Sequence, residues 1–459
     1  MTTVGDSWGA DLTSRADSVC FLMFEGWTTE LRGNRWHFAS RWAQTLPVVL
    51  VQPVRTTTRA LDATPEPRIP NCEILEIGRA VPEPTYRARS AAQSRQIVRH
   101  LAHRGFSRPV LWCYNPRLAG AFAEVPAVAR VFHATENFAD FEWVPPFFLT
   151  LWHMALATSD LVVAVSAGVR NSVAPFVDTD RLAVVTNGCD TKQYRSDGPQ
   201  DAELSSVAAG FDRVAIYAGY LNERVDYQLL HRAASENPRI LFALCGPTAN
   251  LDAADLATWR QLRAAKNVHY FGVTDPERLP ALYRTASVGL IPYKRVQMII
   301  ENGFPLKTLE MCATGLPVVT TRMKPLEGLA SALVVTPDRD AFLSAITTTD
   351  RHSMTVAQRV ELADLCERND YDAKFAEILG VLDPRIDNRA RPRTGPLTST
   401  FGAEGWDVPP DPGLLAGARE ITATVAAKAY SRLGEAIPRP VRHALPSSLR
   451  KWLRNRVAV

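Results

Sequence analysis

The sequence predicts an α/β protein built from two doubly wound parallel-sheet domains that face each other across a cleft. Three observations carry this reading. Short apolar runs alternate with helical segments along most of the chain, the pattern of strands covered on both faces by helices. A polar stretch, residues 197–212, divides these runs into two series. Residues 302–320 read as a loop, a short helix and a buried strand, a unit that such folds place beside a ligand. A chain of 459 residues, 46% hydrophobic and 22% charged, is long enough for two or three domains.

The first series opens with the apolar run 19–24, followed by a polar loop and a helix around 34–44. Strands at 47–51, 109–113, 130–133, 161–165 and 182–185 continue it. The second series comprises 214–217, 240–244, 268–271, 288–291 and 318–320. The organisation that follows is a first Rossmann-like domain over 1–196, a second over 197–370, and a helical segment at 371–384. A linker rich in Pro, Arg, Gly and Thr spans 385–413, and a tail over 414–459 returns to helical periodicity. Neither G-x-G-x-x-G nor G-x-x-x-x-G-K-[ST] follows any strand, which argues against a dinucleotide oxidoreductase or a P-loop enzyme.

The net charge of +4 is too small to argue for a nucleic-acid partner, and none is expected. Its distribution is uneven. From Lys428 onward there are eight Lys/Arg and one acid, a net +7, which leaves the rest of the chain at +4 − 7 = −3. The seven cysteines are scattered and form no C-x-x-C pair, as expected of reduced, mostly buried thiols in a cytoplasmic protein and not of a disulfide framework or a zinc site. The run 19–24 is too short for a signal segment, and the apolar stretch 149–169 is interrupted by His153, Ser159 and Asp160, so it reads as a core helix followed by a strand.

In 302–320, Gly303 and Pro305 punctuate the loop, Leu306, Leu309, Met311 and Ala313 give the helix an apolar side, and Gly315 ends it. Backbone N–H groups leading into a helix suit a phosphate. Lys307 adds a positive charge there, and Glu310 a carboxylate one turn further in. Phosphate-binding amides, a cation and a ribose-binding acid are what a nucleotide-diphosphate sugar requires, although an ordinary helix–strand unit has the same spacing. Two loops in the first half also follow strands. In 25–35, Gly26 and Gly33 permit close approach of a ligand, and Arg32 and Arg35 stand ready to meet phosphates or sugar hydroxyls, although a surface loop with solvated arginines reads the same way. In 132–138, His133 and Glu136 can orient a hydroxyl or shift each other's pKa, although a lone histidine is also a common structural residue.

The stretch Pro305-Leu-Lys-Thr-Leu-Glu310, continuing through Gly315 and Pro317, resembles a motif of retaining glycosyltransferases of the GT-B fold, the large family 4 and its relatives. A bacterial subgroup carries it as P-L-K-x-x-E-x-x-A-x-G-x-P-V-V. There is one departure. The family's pair of glutamates is separated by seven residues, whereas Glu301 and Glu310 are separated by eight, and Asn302 holds the place of the first. Other turns fit as well. Asn187-Gly-Cys-Asp190 resembles the family's N-G-V-D turn, Gly219 to Asp226 resembles G-x-L-x-x-R-x-D, and Cys245-Gly246-Pro247 and Ile291-Pro292-Tyr293 resemble turns that line the nucleotide. Residues 371–379 resemble the last helix of the fold, which crosses back to the first domain. The resemblance covers about residues 18–384.

This resemblance implies a GT-B enzyme of two Rossmann-like domains, retaining and metal-independent, with a nucleotide-diphosphate sugar as co-substrate and no other cofactor. The acceptor is a hydroxyl, with a role in surface polysaccharide or glycolipid synthesis. It implies a donor site of Gly26, Asn187, Gly219, Arg224, Gly246, Tyr293, Pro305, Leu306, Lys307 and Glu310. Catalysis is expected from His133, Glu136, Arg224 and Lys307, with Trp27, Arg32 and Arg35 on the acceptor side. The alternatives are a nucleotide-sugar-binding GT-B protein without transfer activity and a GT-B epimerase. Finally, in the tail segment 446–457, Leu449, Trp452, Leu453 and Val457 share one helical face, while Arg450, Lys451, Arg454 and Arg456 cover the rest. Such a segment suits an anionic membrane surface at the inner face of the plasma membrane, or a solvated basic helix.

Overall fold

The computed structural model describes residues 14–29, 32–54, 62–78, 86–141, 144–249 and 251–393. They form two sheets. The first has the strand order β3-β4-β2-β1-β5-β6-β7-β8. Its strands are β1 (Ser18–Leu22), β2 (Val48–Val54), β3 (Thr64–Pro65), β4 (Cys72–Gly78), β5 (Pro109–Cys113), β6 (Ala129–Ala134), β7 (Leu161–Ala164) and β8 (Leu182–Val184). The second sheet has the order β11-β10-β9-β12-β13-β14, from β9 (Arg213–Ala218), β10 (Ile240–Cys245), β11 (Val268–Gly272), β12 (Val288–Ile291), β13 (Val318–Thr321) and β14 (Leu333–Thr336). Apart from the short β3, which runs antiparallel to β4, all these pairings are parallel. The central strands are buried along their whole length, because apolar side chains on both faces meet helices on both sides.

In each sheet the strand order reverses beside its first strand: between β1 and β5, and between β9 and β12. Such a reversal splays the connecting segments apart and opens a crevice at the carboxyl ends of the strands. The two crevices face one another.

Strands β3, β4 and β14 were absent from the two series read in the sequence. In β4, Glu73 and Glu76 interrupt the apolar run, but both are paired. Glu73 meets His100 at 2.9 Å and Arg104 at 3.2 Å, and Glu76 accepts from Gln52 at 2.9 Å. A short window of sequence around β4 contains none of these three partners.

The chain crosses between the domains twice, and the two crossings hold each other. The Cys189 amide donates to the Asn369 carbonyl, and the Tyr371 amide donates back to the Cys189 carbonyl, each at 3.0 Å. Helix Tyr371–Leu382 then lies on the first domain, burying Tyr371, Ile378 and Leu382 among Val19, Trp42 and Val163. Arg41 anchors it through Asp372 at 2.8 Å.

The expected linker 385–413 does not begin as a free segment. The Asp387 amide donates to the Val128 carbonyl, and Arg391 pairs with Ala127. The buried Arg130 guanidinium donates to the carbonyls of Phe122, Val125 and Arg391. Unpaired polar groups in the first domain thus find partners in residues 387–393, which the composition of this stretch did not reveal. The remainder of the linker and the tail, including 446–457, lie outside the described residues. Among the described residues no helix is long and apolar enough to cross a membrane.

Candidate active site

A cavity of about 560 Å³ occupies the cleft where the two crevices meet. The second domain supplies its floor. Gly219 follows β9 with φ +137°, and a Cβ there would sit 2.1 Å from the Lys307 ammonium, so this close approach requires glycine. Lys307 lies over the Tyr217 ring at 4.2 Å and donates to the Tyr217 hydroxyl at 3.1 Å, whose own proton goes to the Tyr220 carbonyl at 2.7 Å. The ammonium is therefore held in place beside the cavity rather than swinging on its flexible stem.

Lys307 belongs to the first turn of helix Leu306–Ala313, and Pro305, Leu306, Lys307 and Glu310 all line the cavity. The amides of a helix's first turn lack partners within the helix, so this end favours an anion. Glu310 lies one turn on. Burial raises its carboxyl pKa from 4.5 to about 7, although the Lys307 charge and a hydrogen bond with Tyr194 act in the opposite direction. A carboxylate so placed has lost much of its water and gains from hydroxyl donors brought by a ligand.

The first domain supplies the opposite wall through Glu25, Gly26, Arg32, Asn34, Arg35 and Glu136. Three of its contacts reach across the cleft. Arg224 pairs with Glu136 at 2.9 Å, Arg32 pairs with Glu277, and the Asn302 amide donates to Asp140 at 3.0 Å. Close packing of the domains also depends on Gly168, where a Cβ would lie 2.1 Å from the Asn302 side-chain oxygen and 2.4 Å from the Glu301 carbonyl.

The cavity gathers Gly26, Arg32, Arg35, Glu136, Asn187, Gly219, Arg224, Gly246, Tyr293, Pro305, Leu306, Lys307 and Glu310. Two expected residues stand elsewhere. Trp27 is buried beneath the loop: its amide donates to Gln52 at 3.0 Å and its indole to Glu66 at 2.5 Å, so it does not face an acceptor. His133 does not line the cavity. It sits inside β6 among Phe38, Trp112 and Tyr114, and burial lowers its pKa to about 3. A ring held neutral and enclosed in this way cannot exchange protons with a substrate near neutral pH.

Glu301 points away from the cavity, pairing with Lys324 at 2.6 Å and accepting from Gln297 at 2.8 Å. Of Glu301 and Asn302, only Asn302 lines the cavity. Asn34, Tyr194 and Tyr283 also line it, and no motif in the sequence marks them. Asn34 opens a helix at a strand's carboxyl end, a position that periodicity marks only as a boundary, and Tyr194 lies in the crossing between domains.

Comparison with known proteins fits this geometry. Residues 212–349 match the profile of the family described as "Glycosyl transferases group 1". TuaH of Bacillus subtilis, described as a teichuronic acid biosynthesis glycosyltransferase, is 27% identical over 146 residues, 31% of this chain and 35% of that one. A D-inositol 3-phosphate glycosyltransferase of Corynebacterium efficiens is 29% identical over 161 residues, 32% and 36% of the two chains. The match thus spans about a third of each curated relative. Similar solved structures cover far more. Sucrose-phosphate synthase from Thermosynechococcus elongatus superposes with a TM-score of 0.62 at 14% identity, over 80% of this chain and 98% of that one. Anabaena HepE in complex with UDP and glucose gives 0.60 at 13% identity, over 80% and 100%. The chain therefore has the GT-B fold, and its residues 212–349 carry the profile of group 1 glycosyl transferases.

Proposed function

We propose that the protein is a retaining, metal-independent glycosyltransferase that moves a sugar from a nucleotide-diphosphate donor to a hydroxyl acceptor. The observation that carries this is the convergence, on the lining of one cavity, of two cations, a helix N-terminus and a half-buried carboxylate. Arg224, Lys307 and the amides of helix Leu306–Ala313 receive the diphosphate. Their positive charge matters most as the bond from sugar to diphosphate breaks, when negative charge grows on the leaving group. Glu310 accepts the ribose hydroxyls. With the donor on the second domain, the acceptor enters against Arg32, Arg35 and Glu136 of the first.

A binding protein without transfer activity is the second reading, favoured by the position of Glu301, which leaves the cavity one carboxylate short of the family pattern. Two steps separate the readings. A thermal-shift screen with UDP-, GDP-, ADP- and TDP-sugars finds the donor, since a ligand at 100 times its Kd raises stability by about 2.7 kcal/mol. Turnover of that donor, by slow hydrolysis or by transfer, then establishes an enzyme; release of an epimerised nucleotide sugar identifies an epimerase, and binding without any product identifies a binder.

A surface polysaccharide or glycolipid acceptor would place the work at the inner face of the membrane, where the basic segment 446–457 would bind anionic lipid. Full-length protein is expected to pellet with anionic vesicles at low salt and a truncation after Arg393, which keeps the docked residues 387–393, to stay in solution. Equal behaviour of the two would remove the membrane from the proposal.

A further inference from the structure

His133 is not isolated in its aromatic surroundings. Its Nδ1 lies 3.1 Å from the Tyr114 hydroxyl, which donates to the Asn34 side-chain oxygen at 2.8 Å. The Asn34 amide donates to the Asn187 side-chain oxygen at 2.8 Å, and the Asn187 amide donates to the Phe304 carbonyl at 2.8 Å. The direction of the whole chain follows from one constraint. A phenol has a single proton, and Tyr114 gives its proton to Asn34, so His133 Nδ1–H must be the donor to Tyr114. The imidazole then carries its proton on Nδ1 and none on Nε2, and Nε2 has no hydrogen-bond partner among the described residues.

Every member of this chain is buried, at 1% exposure for His133, 3% for Tyr114, 8% for Asn34 and 9% for Asn187. The first three links lie within the first domain, coming from β6, the end of β5, the start of helix Asn34–Trp42 and the turn after β8. The last link crosses to the second domain. Phe304 stands between helices Gln297–Asn302 and Leu306–Ala313, one residue before Pro305 and three before Lys307. The chain ends on the loop that aims the anion-binding helix into the cavity.

We infer that His133, Tyr114 and Asn34 are positioning residues for the donor site, which act through Asn187 to hold the Gly303–Pro305 loop, and with it Lys307 and Glu310, against the first domain. Asn187 has one amide and two orientations. Filled by Asn34 on one side, its carbonyl is occupied and its N–H₂ is turned to Phe304. The Phe304 carbonyl favours that orientation and Asn34 reinforces it from the other side, while at the enclosed end, where His133 and Tyr114 pack among Phe38 and Trp112, an unfilled member has no water to replace its lost partner. His133 thus serves the reaction as a fixed N–H donor at the far end of a line of hydrogen bonds, not as an acid or base.

This inference rests on the donor-site reading, so its test has one arm that needs no ligand. In hydrogen exchange on the ligand-free protein, the segment 303–310 should exchange faster in Tyr114→Phe and His133→Ala than in wild type. His133→Asn should behave as wild type, because the asparagine amide nitrogen is borne on the γ carbon, as Nδ1 is in histidine. In the second arm, Tyr114→Phe and His133→Ala should weaken about tenfold the binding of whichever of UDP, GDP, ADP and TDP the wild type binds, the loss expected from one buried hydrogen bond broken with its partner left unpaired, while His133→Asn keeps it. Should His133→Ala fail to fold, Asn34→Leu breaks the same line at its middle and must show the same two losses. Unchanged exchange and affinity in Tyr114→Phe would overturn the inference, as would a His133→Asn protein as impaired as His133→Ala, which would point to Nε2 instead. Wild-type protein that binds no nucleoside diphosphate would defeat the donor reading alone, leaving the exchange result to judge the chain.

Discussion

The two walls of the cleft are built on different principles. The second-domain wall is local: Gly219, Gly246, Tyr293 and the segment 305–310 follow their strands or open their helix, and under the proposed function the backbone itself does much of the binding. The first-domain wall is assembled from distant pairs. Glu136 meets Arg224 across 88 positions of sequence, Asp140 meets Asn302 across 162, and Arg32 meets Glu277 across 245. A diphosphate and a ribose are constant features of a nucleotide sugar, so one backbone geometry serves them. An acceptor varies, and side chains on loops are the part of a fold that changes without disturbing the sheet.

Breaking the local wall should have the largest effect. Arg224→Ala and Lys307→Ala are each expected to lower kcat about 100-fold or more, with a smaller rise in donor KM, because their interaction strengthens as the diphosphate leaves. Steady-state kinetics with and without EDTA check this; chelation should leave the wild-type rate unchanged. A rate lost to EDTA and restored by Mg²⁺ or Mn²⁺ would show that a metal supplies the charge assigned to these cations.

Glu310→Gln comes next, with donor affinity expected to fall about tenfold or more, as for a charge-assisted hydrogen bond. The raised pKa of this group makes the effect depend on pH. In the ligand-free fold the carboxyl is neutral more readily than in the unfolded chain. Its contribution to stability is therefore fully present below about pH 4.5 and is lost as pH rises through about 7. A nucleotide that brings hydroxyl donors favours the ionised form. Binding should accordingly tighten as pH rises through about 7 and release protons below it. Calorimetry in two buffers of different ionisation enthalpy measures that release, and in Glu310→Gln it should vanish. A wild-type affinity that is flat across this range would mean that Glu310 does not meet the ribose.

The smallest effect is expected on the distant wall. Glu136 neutralises Arg224 in the ligand-free cleft, so the incoming diphosphate must displace it. The pair is about one-third exposed, at 36% for Arg224 and 33% for Glu136, so Glu136→Gln should tighten nucleoside-diphosphate binding only about two- to fivefold. In an Arg224→Ala background the same change should do nothing. Weaker binding in Glu136→Gln would instead make this carboxylate part of the donor site.

The difference between the walls also explains what could be read from the sequence. The alternation of apolar runs and helices marks most of both sheets, because strands buried on two faces carry their signal within a few residues. Where burial is achieved by pairing acids with distant partners, as in β4, the signal disappears. The second-domain wall of the cavity was legible for the same reason, since Pro305 to Glu310 is one continuous segment. In the first domain, residue type and position after a strand pointed to Trp27 and His133, yet both side chains face inward. The cause in each case is a partner remote in sequence: Glu66 for the Trp27 indole, and Tyr114 for His133. Position at a strand's end says that a loop is near the cleft, but not which side chains turn toward it.

The most direct test is a titration of UDP, GDP, ADP and TDP into the wild-type protein and into Lys307→Ala/Glu310→Gln, with folding of the variant verified by circular dichroism. One of the four diphosphates is predicted to bind the wild type at a single site and to lose at least about tenfold in affinity for the variant; the two losses do not simply multiply, because the Lys307 charge acts on Glu310. No binding to the wild type, or binding that survives both substitutions, would contradict the assignment of the cleft as a nucleotide-sugar site.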